Sequence, residues 1–279
     1  MLKKIKFAES LRYFKEEREE QRAEKLVGRE FNFESGRINV LVGENGSGKS
    51  SLLESLAKKI LAYNYGHTRL DDRLIRFNDE YWSKEDPDRW YSDEIYMPDV
   101  SLETESPIYG MYMSPDWKPC DALNWAHALC YGLGKEATDH FKRTEQFSSG
   151  QGMSNVITHI AMALKERSPE VSLEEVKYHI RPEDNNHLAK RAKFLQKLLP
   201  AAGSNIVAMF DEPERTLDLG SQLAFWQLMN DIAQREHVQI VIASHSCIPL
   251  MSPDKFNFIE MNEGYKERLL NTTANLSFK

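Results

Sequence analysis

Eight consecutive residues carry the most specific chemistry in this chain: Gly43, Glu44, Asn45, Gly46, Ser47, Gly48, Lys49 and Ser50. They match G-x-x-x-x-G-K-[ST] at every fixed position. Glycines let the backbone curl so that successive N–H groups point inward at phosphate oxygens. A helix N-terminus behind them adds the positive end of its dipole. Lys49 is a mobile cation with the reach needed for β- and γ-phosphates, and the Ser50 hydroxyl suits a Mg²⁺ ligand position. Ser51 continues the same anion-facing helix start. A plain Gly/Ser turn would not need all the fixed positions at once. The chemistry is the binding of a nucleoside triphosphate.

That chemistry needs a strand before the loop and a helix after it. Residues 37–42 (Arg-Ile-Asn-Val-Leu-Val) supply an apolar strand, and 51–60 supply an amphipathic helix. Further on, 205–210 (Asn-Ile-Val-Ala-Met-Phe) is a continuous apolar run of the kind found in buried parallel strands. It ends in Asp211-Glu212-Pro213-Glu214. A helix is predicted from Leu219 to Glu236, with Leu223, Trp226, Met229 and Ile232 on its buried side. A second buried strand, 238–243, ends in Ser244-His245-Ser246, and 256–260 reads as a late edge strand. Strand–helix–strand with polar residues at the strand ends predicts a mostly parallel α/β sheet with the ligand at its carboxyl edge. Asp211, Glu212 and His245 are thereby the candidate partners of the phosphate loop.

The rest of the chain is less explicit. Residues 1–8 alternate as an opening strand, and 26–33 read as a second strand, together predicting an antiparallel β-sublayer beside the nucleotide. The mixed-sign run 15–25 has no apolar stripe and reads as a solvated segment. From 63 to 119, Tyr, Trp, Asp and Pro dominate and helical periodicity is poor, so loops and short strands are expected. Residues 121–133 read as a helix. Phe147-Ser148-Ser149-Gly150-Gln151-Gly152 then opens an amphipathic helix carrying Met153, Val156, Ile157, Ile160, Ala161 and Leu164. Residues 168–200 are charged and helical, with Lys190, Lys193 and Lys197 on one face. The division expected is a nucleotide-binding core of 1–62 and 204–279 with an inserted, partly helical lobe at 63–203.

Composition narrows the class. A chain of 279 residues with 41% apolar and 28% charged residues can bury a sizeable core and is not of the disordered type. No apolar run reaches bilayer length, and Met1-Leu2-Lys3-Lys4 lacks the apolar core of a signal peptide, so a cytoplasmic protein with no membrane partner is expected. Cys120, Cys130 and Cys247 are odd in number and far apart, which indicates neither a disulfide framework nor a zinc site. The net charge of −7 sets aside a surface coated for nucleic acid, while a local basic stripe leaves nucleic acid open as a partner.

The order of phosphate loop, Ser148-Ser149-Gly150-Gln151, Asp211-Glu212 and His245 resembles the ABC-type ATPase superfamily across nearly the whole chain. The likeness is to the soluble branch that includes SMC, RecF and overcoming-lysogenization-defect ATPases. Within it, the chain is most similar to small stand-alone AAA-family ATPases with a DEPE Walker B motif. The resemblance implies a P-loop NTPase fold with ATP and Mg²⁺ as ligands. It implies Lys49 and Ser50 as Walker A lysine and metal ligand, and Asp211 as the Walker B aspartate. Glu212 becomes the carboxylate that deprotonates the attacking water, and His245 the switch histidine. Thr216-Leu217-Asp218 stands at the D-loop position. Ser148, Ser149, Gly150 and Gln151 stand where the family's signature closes over ATP held by a second copy, implying a homodimer formed on ATP.

Two departures stand out. The signature has Phe147 for leucine and Ser149 for a glycine, and no Gln occurs between residues 22 and 145 to serve a Q-loop. No long coiled-coil arm or nuclease-like acidic cluster is present in the sequence. The first reading is an ATP-hydrolysing switch acting with a separate protein effector in DNA maintenance, phage biology or anti-phage defence. The alternative is the nucleotide-binding subunit of an ABC transporter, against which the missing Q-loop and the DEPE form are set. A small-molecule kinase has no need of a signature helix, and the intact site residues disfavour a dead ATPase kept only for interaction.

Overall fold

The computed structural model describes residues 1–9, 24–60, 62–64, 100–106, 108–113 and 201–274, with 157–158, 161–162, 164–165 and 167 between them. Two sheets organise these residues. The larger has six strands in the order β4-β6-β7-β8-β3-β9, and every pairing in it is parallel. Its strands are β3 (Ile38–Val42), β4 (Tyr63–Asn64), β6 (Ile108–Met113), β7 (Asn205–Asp211), β8 (Val238–Ala243) and β9 (Phe256–Glu260). The smaller is antiparallel, order β2-β1-β5, from β1 (Leu2–Phe7), β2 (Glu30–Asn32) and β5 (Val100–Thr104). Helices α1 (Lys49–Lys59), α2 (Leu219–Ala233) and α3 (Tyr265–Ala274) complete the described elements.

The apolar runs explain the layering. Successive side chains of a strand point to opposite faces, so a strand covered on both sides must be apolar throughout. All residues of β3, β6 and β8 are buried. On one face Ile38, Val40, Ala208, Phe210, Ile240 and Ile242 pack with Trp226, Met229 and Ile232 of α2. On the other, Leu41, Val207, Met209 and Val241 pack with Leu52, Leu53 and Leu56 of α1 and with Leu2, Ile5 and Phe7 of the antiparallel sheet. The parallel sheet is thus a middle layer. Two polar residues inside it, Asn39 and Gln239, are satisfied by bonds that tie layers together. The Gln239 side chain accepts from the Leu2 N–H and donates to the Leu2 carbonyl, each at 2.9 Å. Asn39 donates to the carbonyls of Glu34 and Ile240 and accepts from Asn257.

The structure corrects several boundaries. The strand expected over 26–33 is only three residues long, because Glu24–Leu26 form a 3₁₀ turn and Gly28 sits at φ 67°, outside extended geometry. Helix α2 stops at Ala233 rather than 236. Its Leu223 is exposed while Phe225 is buried, since 225, 226, 229, 232 and 233 form the inner stripe and 223 lies roughly 120° around the helix from 229. The expected lobe also begins too early. Strands β4 and β6 belong to the parallel sheet beside β7, and β5 pairs with β1, so both core sheets draw on residues 63–113. After Gly152, Ile157 and Ala161 are helical and buried with Leu164, at the spacing predicted. The helices expected at 121–133 and 168–200 and the signature at 147–152 lie outside the described residues.

Gly110 in β6 shows how closely the residues that follow α1 approach the sheet. A Cβ at that position would lie 2.7 Å from the Ala62 Cβ and 2.7 Å from the Ile60 Cδ1. Gly110→Ala therefore overpacks the centre of the fold. A loss of about 1–3 kcal/mol is expected in urea unfolding. A midpoint equal to the parent's would show that the contact yields freely.

Candidate functional site

Adjacent parallel strands bring three chain segments to one edge. β3 runs into the glycine-rich loop, β7 ends at Asp211 and β8 ends just before Ser244 and His245. In the sheet these strands lie side by side as β7-β8-β3, with Asp211 in register with Ala243. The carboxyl edge is therefore where the loop, the acidic pair and the histidine converge, as the run lengths predict.

The loop has the shape of a phosphate cradle. Gly46 and Gly48 take φ values of 71° and 98°, which only glycine adopts without strain, and Gly43 has no room for a side chain because a Cβ would lie 2.6 Å from the Ser47 Oγ. Lys49 opens α1 and folds back over the loop, its Nζ donating to the carbonyls of Gly43 at 3.0 Å and Glu44 at 3.1 Å. Desolvation holds the Lys49 ammonium below its usual range, while Glu212, Asp211 and Glu214 pull it back up. Asn262 after β9 accepts from the Glu44 N–H at 3.0 Å, and Lys25 donates to the Gly46 carbonyl. Ser47 Oγ is buried with no hydrogen-bond partner among the described residues, an orphan donor inside a loop suited to an oxyanion.

The two candidate metal ligands fit their group as well. Ser50 Oγ donates to Asp211 Oδ1 at 3.1 Å, and Asp211 Oδ2 is buried with no partner among the described residues. Burial first, then the neighbouring Glu212 and Glu54, push the Asp211 carboxyl up to about 7 against the Ser50 bond and Lys49. Among the described residues no group of three or more His, Cys, Asp or Glu side chains is arranged to hold a metal alone. Mg²⁺ suits that situation, because it binds through one or two protein ligands and fills the rest with phosphate and water.

Glu212 follows Asp211 directly and is the one described non-glycine residue with a positive φ, 48°. Its N–H is held by the Ala243 carbonyl at 2.9 Å. The His245 Nε2 lies 3.5 Å from the Glu212 Oε1, and both side chains are partly open to solvent. The sequence left two further groups without roles. Glu214 is buried and accepts hydrogen bonds from Ser244 and His245, and Gln222 of α2 reaches Ser246 and the Leu217 carbonyl. The second glutamate of Asp-Glu-Pro-Glu was the visible sign of the first; nothing in the sequence marks Gln222. At the D-loop position Leu217 is buried and Asp218 caps α2, accepting from the Ser221 N–H at 2.9 Å. Ser148, Ser149, Gly150 and Gln151 are outside the described residues.

Comparison with known proteins names the architecture. The ABC transporter family model matches residues 26–176, more than half of the chain. The chain belongs to the ABC transporter family. It is an ABC-type ATPase, with ATP and Mg²⁺ as its ligands. A stretch of 44 residues is 50% identical to the DNA replication and repair protein RecF of Staphylococcus haemolyticus, covering 16% of this chain and 12% of that relative. Among solved structures, a nucleotide-free ATP-binding cassette from an ABC transporter aligns over 98% of this chain and 96% of its own, at 15% identity and TM-score 0.36. The dimeric post-hydrolysis cassette MJ0796, bound to ADP and Pi, aligns over 80% and 81% at 13% identity and TM-score 0.32. No described helix of this ABC ATPase is long and apolar enough to cross a membrane.

The Asp211 titration gives a signed prediction. Its carboxyl ionises near 7 in the folded chain against 3.8 ordinarily, so folding favours the protonated form. That contribution to stability is complete below the unfolded value and is lost as pH rises through about 7. Without nucleotide or metal, the thermal midpoint should fall from about pH 5 to pH 8 in the parent and fall less in Asp211→Asn. Mg²⁺ needs the ionised form, so its binding should tighten over the same window in the parent alone. Equal slopes in calorimetric scans of the two proteins would remove Asp211 as the source.

Proposed function

We propose that this chain is an ATP-driven switch, a cytoplasmic ATPase that homodimerises on ATP and resets on hydrolysis. The observation that carries the reading is the pairing of Glu212 with His245 beside Lys49, Ser50 and Asp211 at one sheet edge. In this reading the loop from Gly43 to Ser51 holds the triphosphate, and Lys49 balances charge on the β- and γ-oxygens. Glu212 orients a water and accepts its proton as the oxygen–phosphorus bond forms and the bond to ADP breaks. His245 donates to the γ-phosphate and reports its presence to the strand end. Ser50 and Asp211 would hold Mg²⁺, which would supply charge neutralisation for the triphosphate.

The dimer part of the reading rests on the family and on the signature. Ser148, Ser149, Gly150 and Gln151, in the order of the family's signature, would give hydroxyl and N–H donors to ATP on a second copy, so each protomer would complete the other's site. A separate effector protein would read the ATP-bound dimer, in DNA maintenance, phage biology or anti-phage defence, with nucleic acid as a further partner of that assembly. The short RecF likeness supports the DNA branch. A transporter's nucleotide-binding subunit is built on the same fold, and the two readings separate on whether the chain co-purifies from its host with a membrane-spanning partner or with a soluble one.

Lys49→Ala should abolish ATP binding in a titration, since it removes the cation folded over the loop. ATP binding as tight as the parent's would overturn the site assignment. Glu212→Gln should keep binding and lose roughly 10²–10⁴-fold in hydrolysis, the range of general-base loss. With ATP that variant should run as a dimer in size-exclusion chromatography with light scattering. A monomer at saturating ATP would refute the switch.

A further inference from the structure

We infer that Glu214 is a positioning residue for hydrolysis, its buried carboxylate clamping the Ser244–His245 backbone to the turn that carries Glu212. The inference rests on the proposed roles of Glu212 and His245 and adds a residue to them. Glu214 is 8% exposed, and its Oε1 accepts two short bonds, from the Ser244 hydroxyl at 2.7 Å and the His245 N–H at 2.8 Å. Both are charge-assisted and desolvated, the setting in which such bonds are strong.

Geometry explains why a clamp is needed. Strand β8 ends at Ala243, so the His245 N–H has left the ladder, and no other hydrogen-bond partner fixes it among the described residues. On the facing side, Glu212 sits at φ 48°, a conformation that persists only when surroundings enforce it. Two bonds bracket this pair. The Ala243 carbonyl holds the Glu212 N–H, and Glu214 holds the His245 N–H from two residues further on. Between them the Glu212 Oε1 and His245 Nε2 stand 3.5 Å apart. Releasing Glu214 frees one side of that bracket, and the imidazole no longer has a fixed origin.

The clamp extends away from the nucleotide. The Ser244 hydroxyl also accepts from the Ser246 N–H at 2.9 Å, and the Ser246 hydroxyl donates to the Gln222 Oε1 at 3.3 Å. Gln222 then donates to the Leu217 carbonyl at 3.0 Å. The histidine segment, the acidic turn and the residues before α2 thus form one hydrogen-bonded circuit. Glu214 is unsuited to the general-base role itself: one oxygen is already bonded twice and the other, Oε2, is buried with no partner.

The carboxylate acts here as an acceptor, which separates the idea from a catalytic role. A glutamine keeps an acceptor oxygen for Ser244 and His245, whereas alanine keeps none. In the full chain with MgATP, Glu214→Gln should retain at least about a third of the parent hydrolysis rate. Glu214→Ala and Ser244→Ala should each hydrolyse at least about fivefold more slowly, with MgATP affinity within about threefold of the parent in a fluorescent-nucleotide titration. Rescue by glutamine together with a loss confined to kcat is the expected result. A loss of about tenfold or more in Glu214→Gln overturns the clamp, as does a parent rate in either truncation or a loss of affinity that tracks the loss of rate. If Glu214→Ala fails to fold, Ser244→Ala and Glu214→Gln decide the matter by the same criteria. A parent that does not hydrolyse ATP, or a fully active Glu212→Gln, refutes the underlying reading instead.

Discussion

The structure depends on gathering acidic charge around one buried ammonium. Asp211, Glu212 and Glu214 follow a single strand end, and all three act on Lys49, which is itself desolvated. Such a group is unfavourable by itself, because each buried charge loses water that only well-made partners replace. The answers differ residue by residue. Glu214 is met by a hydroxyl and an N–H, Lys49 by two loop carbonyls, and Asp211 by one serine and a raised proton affinity. Among the described residues Asp211 and Glu214 each keep a buried oxygen without a partner, and the one on Asp211, beside Ser50, is where a cation would lower the carboxyl's proton affinity. In the proposed reading, Mg²⁺ and a polyphosphate would relieve that charge together, the lysine meeting the anion and the aspartate meeting the metal.

The strain at Glu212 belongs to the same logic. A glutamate at φ 48° departs from the ordinary basins, and such departures cost of order 1–3 kcal/mol. The surroundings that enforce it are a β8 carbonyl, the buried Pro213 and the bonded Glu214. Glu212 and Glu214 are two residues apart yet face different environments, one partly open to solvent and one closed. The turn separates them so that one carboxylate is free to meet water while the other is fixed in hydrogen bonds.

Much of this was legible in the sequence, for identifiable reasons. The strands at 38–42, 205–211 and 238–243 are mostly β-branched and apolar runs, with Asn39 and Gln239 as interior exceptions, and burial on both faces favours that pattern. The polar residues ending them then had to fall at one sheet edge. Strand β6 was harder to place because Ile-Tyr-Gly-Met-Tyr-Met mixes a glycine and flexible methionines into a Tyr- and Pro-rich stretch, though it lies wholly buried beside β7. The shortened β2 depended on the backbone angle of Gly28, a tertiary fact. Glu214 and Gln222 were missed differently: their partners are 30 and 24 residues away along the chain. Only the register of β7 against β8 and the docking of α2 bring them into reach.

The loop owes its form to elements other than its own strand and helix. From one side Asn262 and Met261 after β9 hold the Glu44 N–H and fill the space against Gly43. From the other, Lys25 on the 3₁₀ turn donates to the Gly46 carbonyl, and a Cβ at Gly48 would lie 3.5 Å from the Leu26 Cδ2 and 3.7 Å from the Lys25 Cβ. That turn is carried by the antiparallel sheet, which the buried Gln239 bonds to β8 through both polar groups of Leu2. A cradle braced from two sheets keeps its N–H groups oriented with no ligand present, so less ordering remains to be done when a triphosphate arrives. In the proposed reading the small sheet, which contributes no residue to the chemistry, would thereby take part in nucleotide affinity by holding the glycines where they already are.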